Sequence, residues 1–379
     1  MPGVTKRKYV GEIMRFNKQL KRPLKLIVEA LPYTYDEDTI INLFKELYPH
    51  EWQIMNERYK QYKEKDKFLL KVGKKERYKP QAPKKYLLNL PQIKYKLRDK
   101  AKQSHKRSFN EEEQLKKLSE LKNKRMKVIN KKEEKIHKSR ELLQNIEPLY
   151  IDAFITAYHK KAITTEGKIE IFKELQKYGC NKTLKFFYKL NDSERNNQIR
   201  NMAFKHLQDI GHYSKLRKSF KGKKKEYMIE KSNFNMTPED LVKRIENNTI
   251  QNKKSYDVFI SHSSRDSSIV KQVIKALNKQ GLTCYCDWTS DNDFLKRNMV
   301  SDFTKEVLKK RMKQSEKLIF IKTEESVKSE WVKFELEYFI ALKKKLYYSE
   351  FLYNKSINES LIDETILCNL EKMEIDIDE

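Results

Sequence analysis

From residue 255 onward the chain alternates strand-like and helix-like segments, and this alternation limits the possible folds more than any other feature. SYDVFISH (255–262) is apolar and rich in β-branched and aromatic residues, RDSSIVKQVIKALNKQG (265–281) has helical periodicity and ends on glycine, and LTCYCDW (282–288) again reads as a strand. NMVSDFTKEVLKKRMKQS (298–315), EKLIFIK (316–322) and KSEWVKFELEYFIALKK (328–344) continue as helix, strand and helix. Strands separated by helices need right-handed crossovers, which predicts a parallel sheet covered on both faces. In such a sheet a ligand binds beyond the carboxyl ends of the strands.

The last helix contains an anomaly. At 100° per residue, Trp331, Phe334, Tyr338, Phe339 and Leu342 of SEWVKFELEYF and its continuation share a side with Glu335, whereas Lys333 and Glu337 face away. A buried carboxylate is costly unless it is paired. One reading is an ion pair with the basic helix 299–314. The other is a carboxylate kept for chemistry.

Upstream, the grammar is helical. DEDTIINLFKELYP stops at Pro49, which can open the next helix, and Trp52, Met55, Tyr59 and Tyr62 form a core stripe. Residues 79–93 hold three prolines and are expected to be extended. Leu115, Ile129, Ile136 and Leu143 give a weak heptad pattern in a Lys/Glu-rich stretch, which reads equally as a long solvated helix. Residues 148–211 read as a helical unit that could contain a helix-turn-helix. MTPEDLVKRIE is a capped helix, and 247–254 reads as a linker. The predicted organisation is therefore a basic, mostly helical region at 1–250, with a sub-boundary near 147, an α/β domain at 254–350 and an acidic tail at 351–379.

The net charge of +28 raises the possibility of nucleic-acid binding, although 82 Lys and Arg against 8 Gly also fit the codon bias of an AT-rich genome. The best phosphate contacts are 96–107 and 215–227, with Lys215, Arg217, Lys218, Lys223, Lys224 and Lys225. Four scattered cysteines argue against a disulfide framework, no spacing suits structural zinc, and Cys284 and Cys286 read as core residues. Without a signal peptide or a long apolar run, a soluble, cytoplasmic protein with no membrane partner is expected. No G-x-G-x-x-G or P-loop is present, which argues against hydride transfer and kinase chemistry.

YDVFISHSSRD (256–266), DWTSDND (287–293) and SEWVKFELEYF resemble the first strand, the BB loop and the third helix of a bacterial Toll/interleukin-1 receptor (TIR) domain. The resemblance covers about residues 254–350. It implies a flavodoxin-like fold and, for many bacterial members, cleavage of NAD+ at the nicotinamide bond, with Glu335 at the position of the catalytic glutamate. NAD+ is then the substrate, and neither a metal nor another cofactor is needed. Phosphate would rest on the helix start at Ser263, Ser264 and Arg265, near His262, and Phe259, Trp288 or Trp331 would stack on a ring. The expected function is an NAD+ glycohydrolase, an effector of prokaryotic antiviral immunity that is activated by self-association once the N-terminal region senses a trigger. Alternatives are a cyclic ADP-ribose-type synthase, a non-enzymatic TIR scaffold and a nucleic-acid-binding protein. Exposed Phe294 and Leu295 in the loop 287–297 would mediate the self-association.

Overall fold

The computed structural model describes residues 4–212, 214, 225–232, 237–247, 250–295, 301–351 and 360–377. The chain divides into two compact units, Met1–Ile136 and His137–Glu379.

The first unit is all helical: Val4–Glu29, Glu37–Leu47, Pro49–Lys71, Pro83–Leu88, Pro91–Lys96, Asp99–Arg107 and the start of Glu111–Glu141. Its core joins Leu20, Leu24 and Ile27 to Ile40, Phe44, Leu87 and Ile93. The stretch 79–93, expected to be extended, instead forms two short helices, because Pro83 and Pro91 occupy first-turn positions where a missing N–H costs nothing. The heptad pattern is used for packing only in part. Leu115 is exposed, and the helix is buried through Gln114, Leu121 and Ile129. Inside the unit, Glu12 accepts from Arg58 Nε at 3.1 Å and from Tyr62 Oη at 2.6 Å. Asp66 takes three backbone N–H groups from residues 77–79, at 2.6–2.9 Å.

In the second unit, helices α1 (Ile151–Tyr158), α2 (Thr165–Leu175), α3 (Asn181–Ser193) and α4 (Asn197–Asp209) share a core of Ile151, Phe154, Phe172, Phe187, Ile199 and Leu207. The cap of α4 is Asn196, which accepts from the N–H groups of Gln198 and Ile199, whereas Ser193 ends α3. Next comes α5 (Pro238–Glu246), capped as expected, by Thr237 in a capping box with Asp240. It is followed by β1 (Tyr256–Ser261), α6 (Ser267–Lys279), β2 (Cys284–Tyr285), α7 (Asp302–Lys313), β3 (Ser315–Lys322), α8 (Glu330–Ala341), β4 (Lys345–Glu350) and β5 (Glu371–Lys372). The sheet is parallel throughout, in the order β2-β1-β3-β4-β5. One face is covered by α6 through Val270, Val273 and Leu277, and the other by α7 and α8 through Leu308, Met312, Val332, Leu336 and Phe339. At the end of α6, Gly281 has φ +83°, and N–H groups of Gly281 and Leu282 bond back to Asn278 and Leu277, a Schellman turn that returns the chain toward β2.

Two segments expected to be solvated are buried in this unit. In the stretch read as a linker, Gln251 is 1% and Lys254 2% exposed. In the stretch read as an acidic tail, residues 360–377 supply β5 and pack Ile362, Ile366, Leu370 and Ile375 against the two faces of the sheet. Among the described residues no helix is long and apolar enough to cross a membrane.

Candidate active site at the carboxyl ends of β1 and β3

The chain runs from β1 to β2 on one side and then crosses to β3 on the other, so the sheet reverses its winding between β1 and β3. A ligand crevice is expected outside the carboxyl ends of these two strands. Alternation along β1 sends Val258 and Ile260 into the α6 face and Phe259 into the α7/α8 face, which places Ser261 beneath α8. There its hydroxyl donates to Glu335 Oε2 at 2.6 Å.

Glu335 is 7% exposed and lies among Val332, Leu336 and Phe339 on the inner side of α8, whereas Glu337 is exposed. No cation pairs with Glu335 among the described residues, so the ion pair with helix 299–314 does not form there. Burial pushes its carboxyl well above the usual carboxylate range, and negative Asp287 adds to this, while the Ser261 hydrogen bond opposes it.

His262 lies just beyond β1. Its Nδ1 is 3.2 Å from the Ile260 carbonyl, and its Nε2 accepts the Trp288 indole N–H at 2.9 Å. This pattern assigns the proton to Nδ1 and makes His262 the support of the Trp288 ring. Among the described residues His262, Cys286 and Asp287 are close enough to hold a metal ion, with Nε2 3.8 Å from the thiol and 3.6 Å from Asp287 Oδ1. That lone pair is already occupied by the indole, and burial pushes the Cys286 thiol well up, so the trio fits a hydrogen-bonded corner better than a metal ligand set.

The other expected contacts divide. Ser263 is buried and its Oγ accepts from Arg265 N at 3.3 Å, while Ser264 is exposed. Arg265 forms an exposed ion pair with Glu325. Asp266 precedes α6 without capping it, because its carboxylate accepts from Thr323 Oγ1 at 2.7 Å, tying the end of β1 to the end of β3. The first N–H groups of α6 therefore have no side-chain cap.

Two ring assignments need correction. Phe259 is 1% exposed and stacks on Tyr285 at 5.1 Å, so it belongs to the core. Trp331 joins Phe334 and Tyr338 in a half-buried row beside Lys305 and Lys309 of α7, and no described contact connects it to Glu335. Phe294, expected to be exposed, is 2% exposed and packs with Leu241, Val242, Ile245 and Val307, with half-buried Leu295 beside it. Of the basic cluster, Lys225 is exposed, and Lys215, Arg217, Lys218, Lys223 and Lys224 lie outside the described residues.

Ser261, Asp287 and Thr323 were not singled out from sequence. The available signal was position: polar residues at the carboxyl ends of apolar strands face the crevice, and Ser261 and Thr323 follow the apolar runs of β1 and β3.

A family model described as TIR domain matches residues 258–352. The chain is 58% identical over 347 residues, 92% of each protein, to a Cytobacillus dafuensis protein named "Putative cyclic ADP-D-ribose synthase TIR2". It is 31% identical over 131 residues, 35% of this chain and 65% of the other, to "Probable 3' cyclic ADP-D-ribose synthase ThsB'" of Bacillus cereus (strain MSX-D12). It is 32% identical over 135 residues, 35% of this chain and 36% of the other, to "Probable 2' cyclic ADP-D-ribose synthase TcpO" of Methanobrevibacter olleyae. No solved structure matches the chain. Since the domain model falls on the sheet-forming segment and the Cytobacillus relative aligns along nearly the whole length, helical part included, the chain belongs to the TIR domain family.

Proposed function

We propose that this protein converts NAD+ into nicotinamide and a cyclic ADP-ribose-type product, with Glu335 as the catalytic carboxylate. The observation that carries the reading is the Glu335 carboxyl, buried without a cation among the described residues and held by Ser261 at the switch point of the sheet. The names of the three relatives favour this reading over simple glycohydrolysis.

The glycosidic bond between ribose C1′ and the cationic nicotinamide breaks, and its electron pair leaves with a neutral base, so no acid is needed. The ribose becomes oxocarbenium-like. A carboxylate in a dry site stabilises that charge better than one in water. The nucleophile that closes the product comes from the same molecule. If it is a hydroxyl, its proton passes to Glu335, and a carboxyl with raised proton affinity suits that role. Low solvent access at Glu335 favours this intramolecular attack over attack by water. Trp288, fixed by His262, offers a ring face to a base, and the uncapped start of α6 offers N–H groups to a phosphate. In the same proposal the helical residues 1–250 sense a trigger and the reaction serves antiviral defence.

The direct test is to incubate the purified protein with NAD+ and separate the products by mass. A product one water lighter than ADP-ribose, formed together with nicotinamide, is expected. Linear ADP-ribose as the main product would return the assignment to a glycohydrolase. A pH profile tests the site electrostatics. Because the ionised form of Glu335 is the active one, kcat/KM should fall on acidification at a pH above the ordinary carboxylate range, and Asp287→Asn should move that fall to lower pH by removing a repulsive charge. An unshifted acid limb would separate Asp287 from Glu335.

A further inference from the structure

The loop that carries Asp287 and Trp288 is held from behind by the helical part of the second unit. Asp287–Ser290 form one helical turn, and Asp291 then closes a tight bend by accepting the N–H groups of Phe294 and Leu295 at 2.9 and 2.8 Å. Asp291 is fully buried. It accepts from Arg311 Nε at 2.7 Å and Nη2 at 3.1 Å, and lies 3.6 Å from Lys254 Nζ. Lys254 in turn binds Glu174 of α2 at 2.7 Å. Just past α2, Lys177 pairs with Glu174 at 2.8 Å and donates to the Ser290 carbonyl, and Lys173 pairs with Asp293. Lys173 and Lys177 thus reach the loop directly, at Asp293 and Ser290, and Glu174 reaches it through Lys254, at Asp291.

The TIR chemistry does not require these charges. Glu174, Lys254, Asp291 and Arg311 are each at most 2% exposed, and two carboxylates and two cations could be replaced by apolar packing at lower desolvation cost. What the network supplies is a fixed geometry between helix and loop, because a buried hydrogen-bonded charge tolerates few alternative positions.

We propose that Glu174 is a positioning residue for the NAD+ site, and that α1–α4 act as a clamp which sets the place of Trp288 and Asp287 through the loop 287–295. Displacement of α2, by whatever the helical region binds, releases the loop and changes substrate binding. The proposal rests on the reading that this site binds NAD+.

The experiment compares the full chain with Glu174→Gln and with Glu174→Gln/Lys254→Met, the second variant leaving no unpaired Lys254 charge if the first fails to fold. Amide hydrogen exchange is read without substrate. Exchange at residues 289–295 should accelerate at least tenfold while the β1 and β3 amides keep their protection. Unchanged loop exchange in the folded variants overturns the clamp, whatever the protein does to NAD+. KM for NAD+ should rise at least tenfold with a much smaller change in kcat, whereas a merely structural role would lower the amount of active protein and leave KM alone. Wild-type protein that leaves NAD+ intact would instead refute the site reading.

Discussion

Glu335→Gln is expected to lose NAD+ conversion by about 1,000-fold and to gain stability at the same time. The variant keeps the shape and a hydrogen-bonding oxygen for Ser261 but cannot place negative charge beside the ribose. The stability gain follows from linkage. A carboxyl whose folded pKa is raised above its unfolded value contributes stability that is full below the unfolded pKa and is lost as pH rises through the folded one. Above the ordinary carboxylate range the wild type therefore carries a cost, either of holding a proton or of burying a charge, and glutamine does not. Thermal unfolding should show the variant higher by about 2–4 °C, the shift that roughly 1 kcal/mol gives in a domain of this size, with the difference fading in acid. Glu337→Gln, on the exposed side of α8, should keep activity within about twofold. An active Glu335→Gln protein would remove the site assignment, and a variant less stable than wild type at every pH would mean that the carboxylate is structurally paired.

Asp291→Asn carries the largest expected stability effect. It leaves Arg311 and Lys254 buried with half of their compensation gone, and breaking such a pair costs about 3–5 kcal/mol. Burial opposes ionisation of Asp291, but Arg311 and Lys254 outweigh it and hold the carboxyl well below the usual range. A depressed folded pKa gives stability that is present above the unfolded pKa and lost as pH falls through the folded one, so wild type and variant should converge on acidification. With Lys177 included, three cations face two carboxylates. Burial is the main reason that Lys254 is pushed down to about 8, with Arg311 and Lys177 adding to it and Glu174 and Asp291 opposing it. The double variant Asp291→Asn/Arg311→Met should recover part of the loss in denaturant unfolding. A single variant as stable as wild type would show that the cluster is hydrated in solution.

The sequence readings that succeeded were those resting on periodicity. Helical phase placed Glu335 inward and Glu337 outward, because α8 is amphipathic and has no break between Glu330 and Ala341. The alternation of strands and helices implied the parallel sheet, and the motif order implied the family. Partner identity did not follow from period. Ser261 and Glu335 are 74 residues apart, and nothing local couples them. Phe259 was misassigned because a strand buried on both faces gives no sign of which aromatic reaches the crevice. Trp331 was misassigned because its helix offers the α7 side to a half-buried aromatic row while Glu335 turns to β1. The charges of Glu174, Lys254 and Arg311 were invisible for a general reason: a charged residue is solvated by default, and only three-dimensional neighbours make burial affordable. Residues 360–377 did carry a signal. Ile362, Ile366 and Leu370 recur every four residues there, but the surrounding acidic residues dominated the composition.

That closing segment matters for how fragments of this protein behave. β5 pairs with β4 at Tyr347 and Tyr348, so it covers one border of the sheet although it lies outside the residues that the TIR model matches. A fragment trimmed to the matched range would leave the outer edge of β4 without its partner at Tyr347 and Tyr348 and uncover the ground under Ile362, Ile366 and Leu370. Open ladders recruit other chains. Filaments or oligomers formed by such a fragment would report the missing strand and not a property of the full chain.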